Sequence, residues 1–354
     1  MRRRTIWIAT GVVMFAAAVV AAFLLRSRAA PEPARLLPEA DAYLYLNLKP
    51  LRTLGVIGEK TPPVHEAEYE EFVRETGFQF ERDLDEAAFA IHAPPRLVDA
   101  PEAGGRNAFR RYSEVFRGRF DAQRAHKYFR KIAQSVETYR NVTIYNIPLE
   151  GRTVRVALLG VGIAAVSNTD GPAAIHYMID RYKELALPFG GPALVREYYR
   201  RVPLGSLMWA MARTGSDAGG GTPLMLPGGF DLFFPSDTVV VGSVRYTTAI
   251  HVKAEAFTAN ADQAKQIVDQ AGAFLSIMRG LQNTMSFSGT DADVKAFFDS
   301  LAVEQNDSRA VLSATVPAEF LKKLFAEPPT GQITGAQPPE PPKKPAGKGK
   351  RRQK

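Results

Sequence analysis

Along residues 42–316 the apolar positions follow two periods. A period of two, the mark of a strand with alternating faces, runs through AYLYLNL (42–48), EAAFAIHA (86–93), SEVFRGRF (113–120), VTIYNIPL (142–149), TVRVALLG (153–160) and GIAAVSN (162–168). It returns in SLMWAMA (206–212), TVVVGSV (238–244), TTAIHVKAEAFT (247–258) and RAVLSATV (309–316). A helical period marks residues 65–77, 121–137, 171–185, 260–280, 291–303 and 317–325. In 121–137 it aligns Ala125, Phe129, Ile132 and Val136 behind a capping Asp121; in 260–280 it aligns Ala264, Ile267, Val268, Ala271, Phe274, Leu275 and Met278 behind Asn260. Strands adjacent in sequence with short breaks between them imply antiparallel pairing. Three times a strand runs into a cap and then an amphipathic helix: RGRF-DAQRAHKYF, AEAFTA-NADQAKQIV and SATV-PAEFLKKLF. The expected fold is α+β, with antiparallel sheets covered on one face by amphipathic helices and arranged as two similar lobes, 39–205 and 206–326. The seam falls near the Gly/Pro-rich 215–229 or slightly before it.

The ends of the chain have other patterns. Residues 6–25 contain no charge, and as a helix rising about 1.5 Å per residue they match a hydrocarbon core of about 30 Å. The run ends in Arg26-Ser27-Arg28, a poor cleavage site, so residues 1–28 read as a short tail and a retained transmembrane anchor, with a cleaved signal peptide as the alternative. Arg2, Arg3, Arg4 and the amino terminus favour the cytoplasm for that tail, which places the body in the periplasm or outside the cell. Residues 29–38, with three prolines, read as a linker. Residues 327–354 are rich in Pro, Gly and Lys and have too little apolar surface to offset the entropy of ordering, so they read as a disordered tail.

Charge follows the same division. The chain is formally +8, but the tail contributes seven Lys/Arg (Lys343, Lys344, Lys348, Lys350, Arg351, Arg352 and Lys354) against two Glu, and the anchor region contributes five arginines. Without these ends the body is at −2, which argues against a nucleic-acid-binding fold. The tail is either a solubiliser or an electrostatic contact for an anionic envelope polymer or lipid surface.

Chemistry is sparse. With no cysteine there is no thiol nucleophile, disulfide or thiolate metal site. Gly160, Gly162 and Ala165 match a dinucleotide-binding spacing, with Asp180 further on, but a helix must start at those glycines to hold a pyrophosphate. A hairpin turning at 160–162 is the better reading. His176 and Asp180 share a helix face at i,i+4 and could share a metal, but two ligands without a third are not a site. No cofactor and no enzymatic activity are expected. In residues 202–237, Gly and Pro alternate with apolar side chains: Met208, Trp209, Met211, Met225, Leu226, Phe230, Phe233 and Phe234 form either core and an inter-lobe wall or a contact surface for a partner or lipid.

LLPEADAYLYLNL, GFQFERDLDE, RGRFDAQRAHKYF and NVTIYNI, behind the anchor, resemble a broad class of bacterial membrane-anchored extracytoplasmic proteins known only as a domain of unknown function. The resemblance implies an envelope setting and no activity. The leading expectation is a membrane-tethered, non-enzymatic protein that binds another macromolecule. The alternative is a module for a small apolar ligand or lipid, held between two lobes.

Overall fold

The computed structural model describes residues 29–53, 67–92, 111–149, 151–184, 190–214, 222–226, 230–284 and 292–317. The anchor segment, the basic tail and the helix expected at 317–325 lie outside this set, apart from Pro317. Among the described residues no helix is long and apolar enough to cross a membrane.

The structure is α+β. The strands are β1 (Ala42–Asn47), β2 (Leu84–His92), β3 (Arg111–Gly118), β4 (Ser135–Tyr139), β5 (Val142–Leu149), β6 (Arg152–Gly160) and β7 (Ile163–Ser167), followed by β8 (Ser206–Arg213), β9 (Thr222–Leu226), β10 (Phe230–Phe234), β11 (Val239–Tyr246), β12 (Ile250–Phe257), β13 (Ala302–Asn306) and β14 (Arg309–Val316). Twelve form one sheet in the order β13-β14-β12-β11-β8-β1-β2-β3-β7-β6-β5-β4; β9 and β10 form a separate hairpin. Every pairing is antiparallel. The order has a repeated wiring: β1-β2-β3 is followed by a helix and a meander that returns to place β7 beside β3, and β8-β11-β12 by helices and a return that places β14 beside β12. The β1–β8 pair joins the two halves.

The helices are α1 (Glu32–Leu36), α2 (Lys49–Thr53), α3 (Ala67–Thr76), α4 (Phe80–Asp83), α5 (Ala122–Ile132), α6 (Ala173–Lys183), α7 (Ala193–Tyr198), α8 (Ala261–Thr284) and α9 (Ala292–Ser300), with a 3₁₀ turn at Tyr199–Arg201. Asp121 caps α5 by accepting from the amides of Gln123 and Arg124, and Asn260 accepts from Gln263 at 2.9 Å ahead of α8.

Three expectations are corrected. Helices pack on both faces of the sheet, not one. Val115, Ala88, Tyr43 and Trp209 share a core with α1, α6 and α7; their strand neighbours Phe116, Ala87 and Phe89 pack on the other side with Phe72 of α3 and Phe80 of α4, and Tyr145 and Val156 with Phe129 of α5. Both faces of the central strands are apolar, so one layer of helices cannot bury them. The linker reading of 29–38 also fails: α1 occupies it, with Ala34, Leu36 and Leu37 at 0% exposure. Pro33 lies in its first turn, where its missing N–H has no helical partner to lose. Finally, the helix expected over 121–137 stops at Ile132, and Ser135 starts β4, where Val136 is exposed. A two-residue turn follows, with Arg140 and Asn141 both at positive φ, as a tight hairpin requires.

Candidate functional site

Strand alternation sorts the apolar side chains of the central sheet into two populations. Tyr43, Tyr45, Trp209 and Met211 point to one face and are buried. Tyr45 stacks on Trp209 at 5.5 Å between ring centres, and Tyr199 meets the indole edge-on at 5.6 Å. Tyr43 donates to the Pro38 carbonyl and accepts from the Ala40 amide. Burial pushes the Tyr45 phenol far above its ordinary value, and it raises the Glu86 carboxyl beside it. This aromatic face is closed.

The opposite face is different. The register brings Leu46, Met208, Val244 and Val252 into one cross-strand row and Leu44, Ala210, Gly242 and Ala254 into the next. Met208 and Ala210 are exposed, and Leu44, Leu46, Val244 and Val252 are half-buried. To one side, α8 covers the sheet: Ile267 packs with Ala256, Ala310 and Phe234. To the other side, α3, α4 and α5 form a roof that does not fill the space beneath it.

Under that roof is a recess of about 180 Å³. Phe116, Leu158, Ala164 and Val166 form its floor, and Phe72, Phe80 and Phe129 are among the rings that wall it. The rings hold one another: Phe72 stacks on Phe80 at 5.9 Å, Phe78 meets Phe80 edge-on at 5.2 Å, and Phe80 meets Phe116 at 6.1 Å. Thr76 also lines the recess, but its hydroxyl is committed to the Phe72 carbonyl at 2.7 Å and the Phe78 amide at 3.1 Å. An engineered apolar cavity of about 150 Å³ stays dry and accepts benzene, so this volume suits one ring or a short acyl segment.

One charged residue breaks the apolar pattern of this face. Glu114 of β3 stands opposite Phe89 of β2 and Val166 of β7, with Tyr112 and Phe116 two residues away on its own strand. It has no hydrogen bond or ion pair among the described residues, and burial alone pushes its carboxyl up to about 7. Val166 and Phe116 belong to the recess, and Phe89 meets Phe116 edge-on at 6.0 Å. Glu114 therefore sits between the recess and the open strip over β1 and β8.

The residues singled out from the sequence are divided by this geometry. Trp209 and Met211 belong to the aromatic core, Met208 to the open face. Phe234 is buried against α8, while Phe233 is 46% exposed. Met225, Leu226 and Phe230 lie in the β9–β10 hairpin, with side chains outside the described set. The tail lysines and arginines also lie outside it. Gly160 ends β6 and Ile163 starts β7, with Gly162 at φ 74° in the turn; a side chain there would meet the Gly118 carbonyl at 2.4 Å. No helix starts at those glycines. Asp180 accepts from Tyr139 at 3.1 Å and from Arg140 at 2.8 Å, and His176 stacks on Tyr139 at 3.9 Å.

Two polar clusters lie elsewhere. His92 contacts Ser113 at 3.0 Å, Ser113 contacts Ser167 at 3.2 Å, and Ser167 contacts Thr169 at 2.9 Å. Ser113 is 0% exposed, so the chain is an internal link between β2, β3 and β7; burial lowers the His92 ring below its ordinary value. In the second half, Glu255 is 3% exposed and paired with Arg309 at 3.1 Å and Lys253 at 3.3 Å.

Fold and recess together define an α+β protein with one long antiparallel sheet and an apolar pocket under a helical roof. No family model matches the chain, and no curated protein matches it. Solved structures of TP0453, a Treponema protein, are similar: crystal form III at TM-score 0.45, form I at 0.43 and form IV at 0.41. Each is 12% identical and spans 84% of this chain and 98% of that one. The likeness is one of architecture alone.

Proposed function

We propose that this is a membrane-tethered, extracytoplasmic binding protein without catalytic activity, and that it binds a small apolar or amphiphilic ligand on the open face of its sheet. One observation carries the reading: a recess of about 180 Å³ walled by aromatic and aliphatic side chains, with its one hydroxyl already satisfied. Pockets of this kind draw affinity from apolar contact and orientation from a few polar groups at the rim. The uncharged run at 6–25 supports the tether, and the resemblance to anchored envelope proteins supports the setting. The repeated strand wiring supports two similar lobes, 39–205 and 206–326. In this reading the tail meets an anionic polymer or lipid surface, and nucleic acid is not a partner.

A macromolecular partner is the second reading. Met208, at 37% exposure, and Phe233, at 46%, favour it, because exposed Met and aromatic side chains suit a protein contact. Solvent extraction of the purified soluble body followed by mass spectrometry separates the two. A recurrent amphiphile near one per chain is expected. A lipid-free body that still captures a protein partner would overturn the first reading in favour of the second.

A further inference from the structure

The recess alone selects for apolar matter and says nothing about a head group. Glu114 supplies that information. It is the acidic side chain among Phe89, Val166, Tyr112 and Phe116, and two of these four line the recess. A carboxylate in apolar surroundings is costly unless something pairs with it. Native sheets seldom keep such a group on a half-covered face without a partner, and none is present among the described residues.

Resting on the reading of the recess as a ligand site, we propose that it takes amphiphiles with a cationic head, an ammonium on a short apolar chain, with the head held by Glu114 and the chain lying over Phe116 and Val166 beneath Phe72 and Phe129. The complementarity works in both directions. An ammonium completes the Glu114 carboxylate with a charge-assisted hydrogen bond. A carboxylate or phosphate head would put two negative charges in the same poorly hydrated place. Hydroxyl heads fall between the two, because they donate a hydrogen bond without charge.

On β2 and β7 the residues opposite Glu114 are Phe89 and Val166. On the roof helices His126 contacts the Tyr145 hydroxyl at 2.7 Å, Tyr69 donates to Glu81 at 2.9 Å, and Lys131 pairs with Glu71 and Glu75. Burial raises the Glu114 carboxyl, and among the described residues no charge balances it. Its value of about 7 places the loss of charge around neutrality, and ammonium selectivity should fade as the medium becomes acidic.

The test is calorimetric titration of the full chain in phosphatidylcholine nanodiscs, with empty nanodiscs as the blank, using octylamine, 1-octanol and octanoate. The wild type should bind octylamine about tenfold or more tightly than octanoate at about pH 8.5, and this preference should shrink at about pH 5.5. Glu114→Gln should keep octanol affinity within about twofold and lose both the ranking and its pH dependence. The same ranking in Glu114→Gln as in wild type would overturn the head-group assignment while leaving the recess as a ligand site. If none of the three compounds binds the wild type, the recess reading itself fails. Glu114→Asp, which keeps the charge, should retain the ammonium preference, so a general disturbance of the strand is distinguishable from loss of the carboxylate.

Discussion

The two faces of the central strands are built from the same apolar residue types, yet one is closed along its length and the other only at its flanks. On β8, Trp209 and Met211 are each 1% exposed, while Met208, one residue away, is 37% exposed. On the aromatic face α1, α6 and α7 come down onto the sheet and large rings fill the interval. On the open face two groups of helices stand at the flanks, over β14 on one side and over β3, β7 and β6 on the other, and the strip between them has small residues such as Ala210 and Gly242. Hydrophobicity alone therefore does not define a core. What decides is whether a second layer reaches the surface, and where it does not, apolar surface is available to something else.

That contrast should be largest in stability. Trp209→Ala removes a side chain that stacks on Tyr45 and meets Tyr199 edge-on, and should cost about 3–5 kcal/mol, measured by denaturant unfolding of the body. Met208→Ala, on the same strand and facing the other way, should cost less than about 1 kcal/mol. Similar losses from both would break the distinction between the faces.

A second effect concerns Glu114 and pH. Its folded-state value of about 7 lies above the ordinary carboxyl value, so the fold holds this proton more tightly than the unfolded chain does. The resulting stabilisation is complete below about pH 4.5 and is lost as pH rises through about 7. His92 acts the other way: its lowered value takes stability away as pH falls below its ordinary range. The clean readout is the difference between wild type and Glu114→Gln. The variant should gain on the wild type by on the order of 1–3 kcal/mol between about pH 5 and pH 8, after allowing for partial solvent access at a sheet face. A difference that does not change with pH would place Glu114 in water and remove the contrast on which the head-group assignment depends.

The smallest effect on the fold belongs to the tail. Deleting residues 338–354 removes seven basic side chains, each worth roughly 1 kcal/mol near an anionic membrane. The melting temperature should not move. Co-sedimentation with anionic vesicles should fall at low salt, and the gap should close at high salt, because exposed charges are screened over about 8 Å at physiological ionic strength. Equal sedimentation at low salt would leave the tail as a solubiliser.

Much of the fold was legible in the sequence. β2, β5, β6, β7, β11, β12 and β14 follow the alternating runs closely, and Asp121 and Asn260 mark helix starts that the structure keeps. Short elements were harder. α1 has five residues and two prolines nearby, and only packing distinguishes it from a linker. The boundary between α5 and β4 was hidden because Val136 falls on the helical stripe of 121–137 as readily as it does in a strand. The site was less legible. Alternation shows that Met208 and Trp209 face opposite ways, but not which face receives a helix. Glu114 lies in SEVFRGRF where an outward-facing polar residue is expected. Its apolar surroundings come from Phe89 and Val166, 25 residues before it and 52 after it, and only strand order brings them together. The one sequence signal was the run of phenylalanines at 72, 78, 80, 89, 116, 120 and 129, more aromatic surface than a single helix-on-sheet contact needs.

If the recess under α3, α4 and α5 is a ligand site, filling it should remove binding. Ala164 contributes a small side chain to the floor, so Ala164→Leu should occupy the space from within. The measurement is titration of wild type and Ala164→Leu with 1-N-phenylnaphthylamine, whose fluorescence rises on entering an apolar pocket, alongside a melting curve for each. Strong, saturable enhancement is expected in the wild type and loss of most of it in Ala164→Leu, whose stability should hold or rise by about 0.5–2 kcal/mol, as cavity filling commonly gives. Equal enhancement in the two proteins, with Ala164→Leu fully folded, would contradict the reading of the recess as a ligand site.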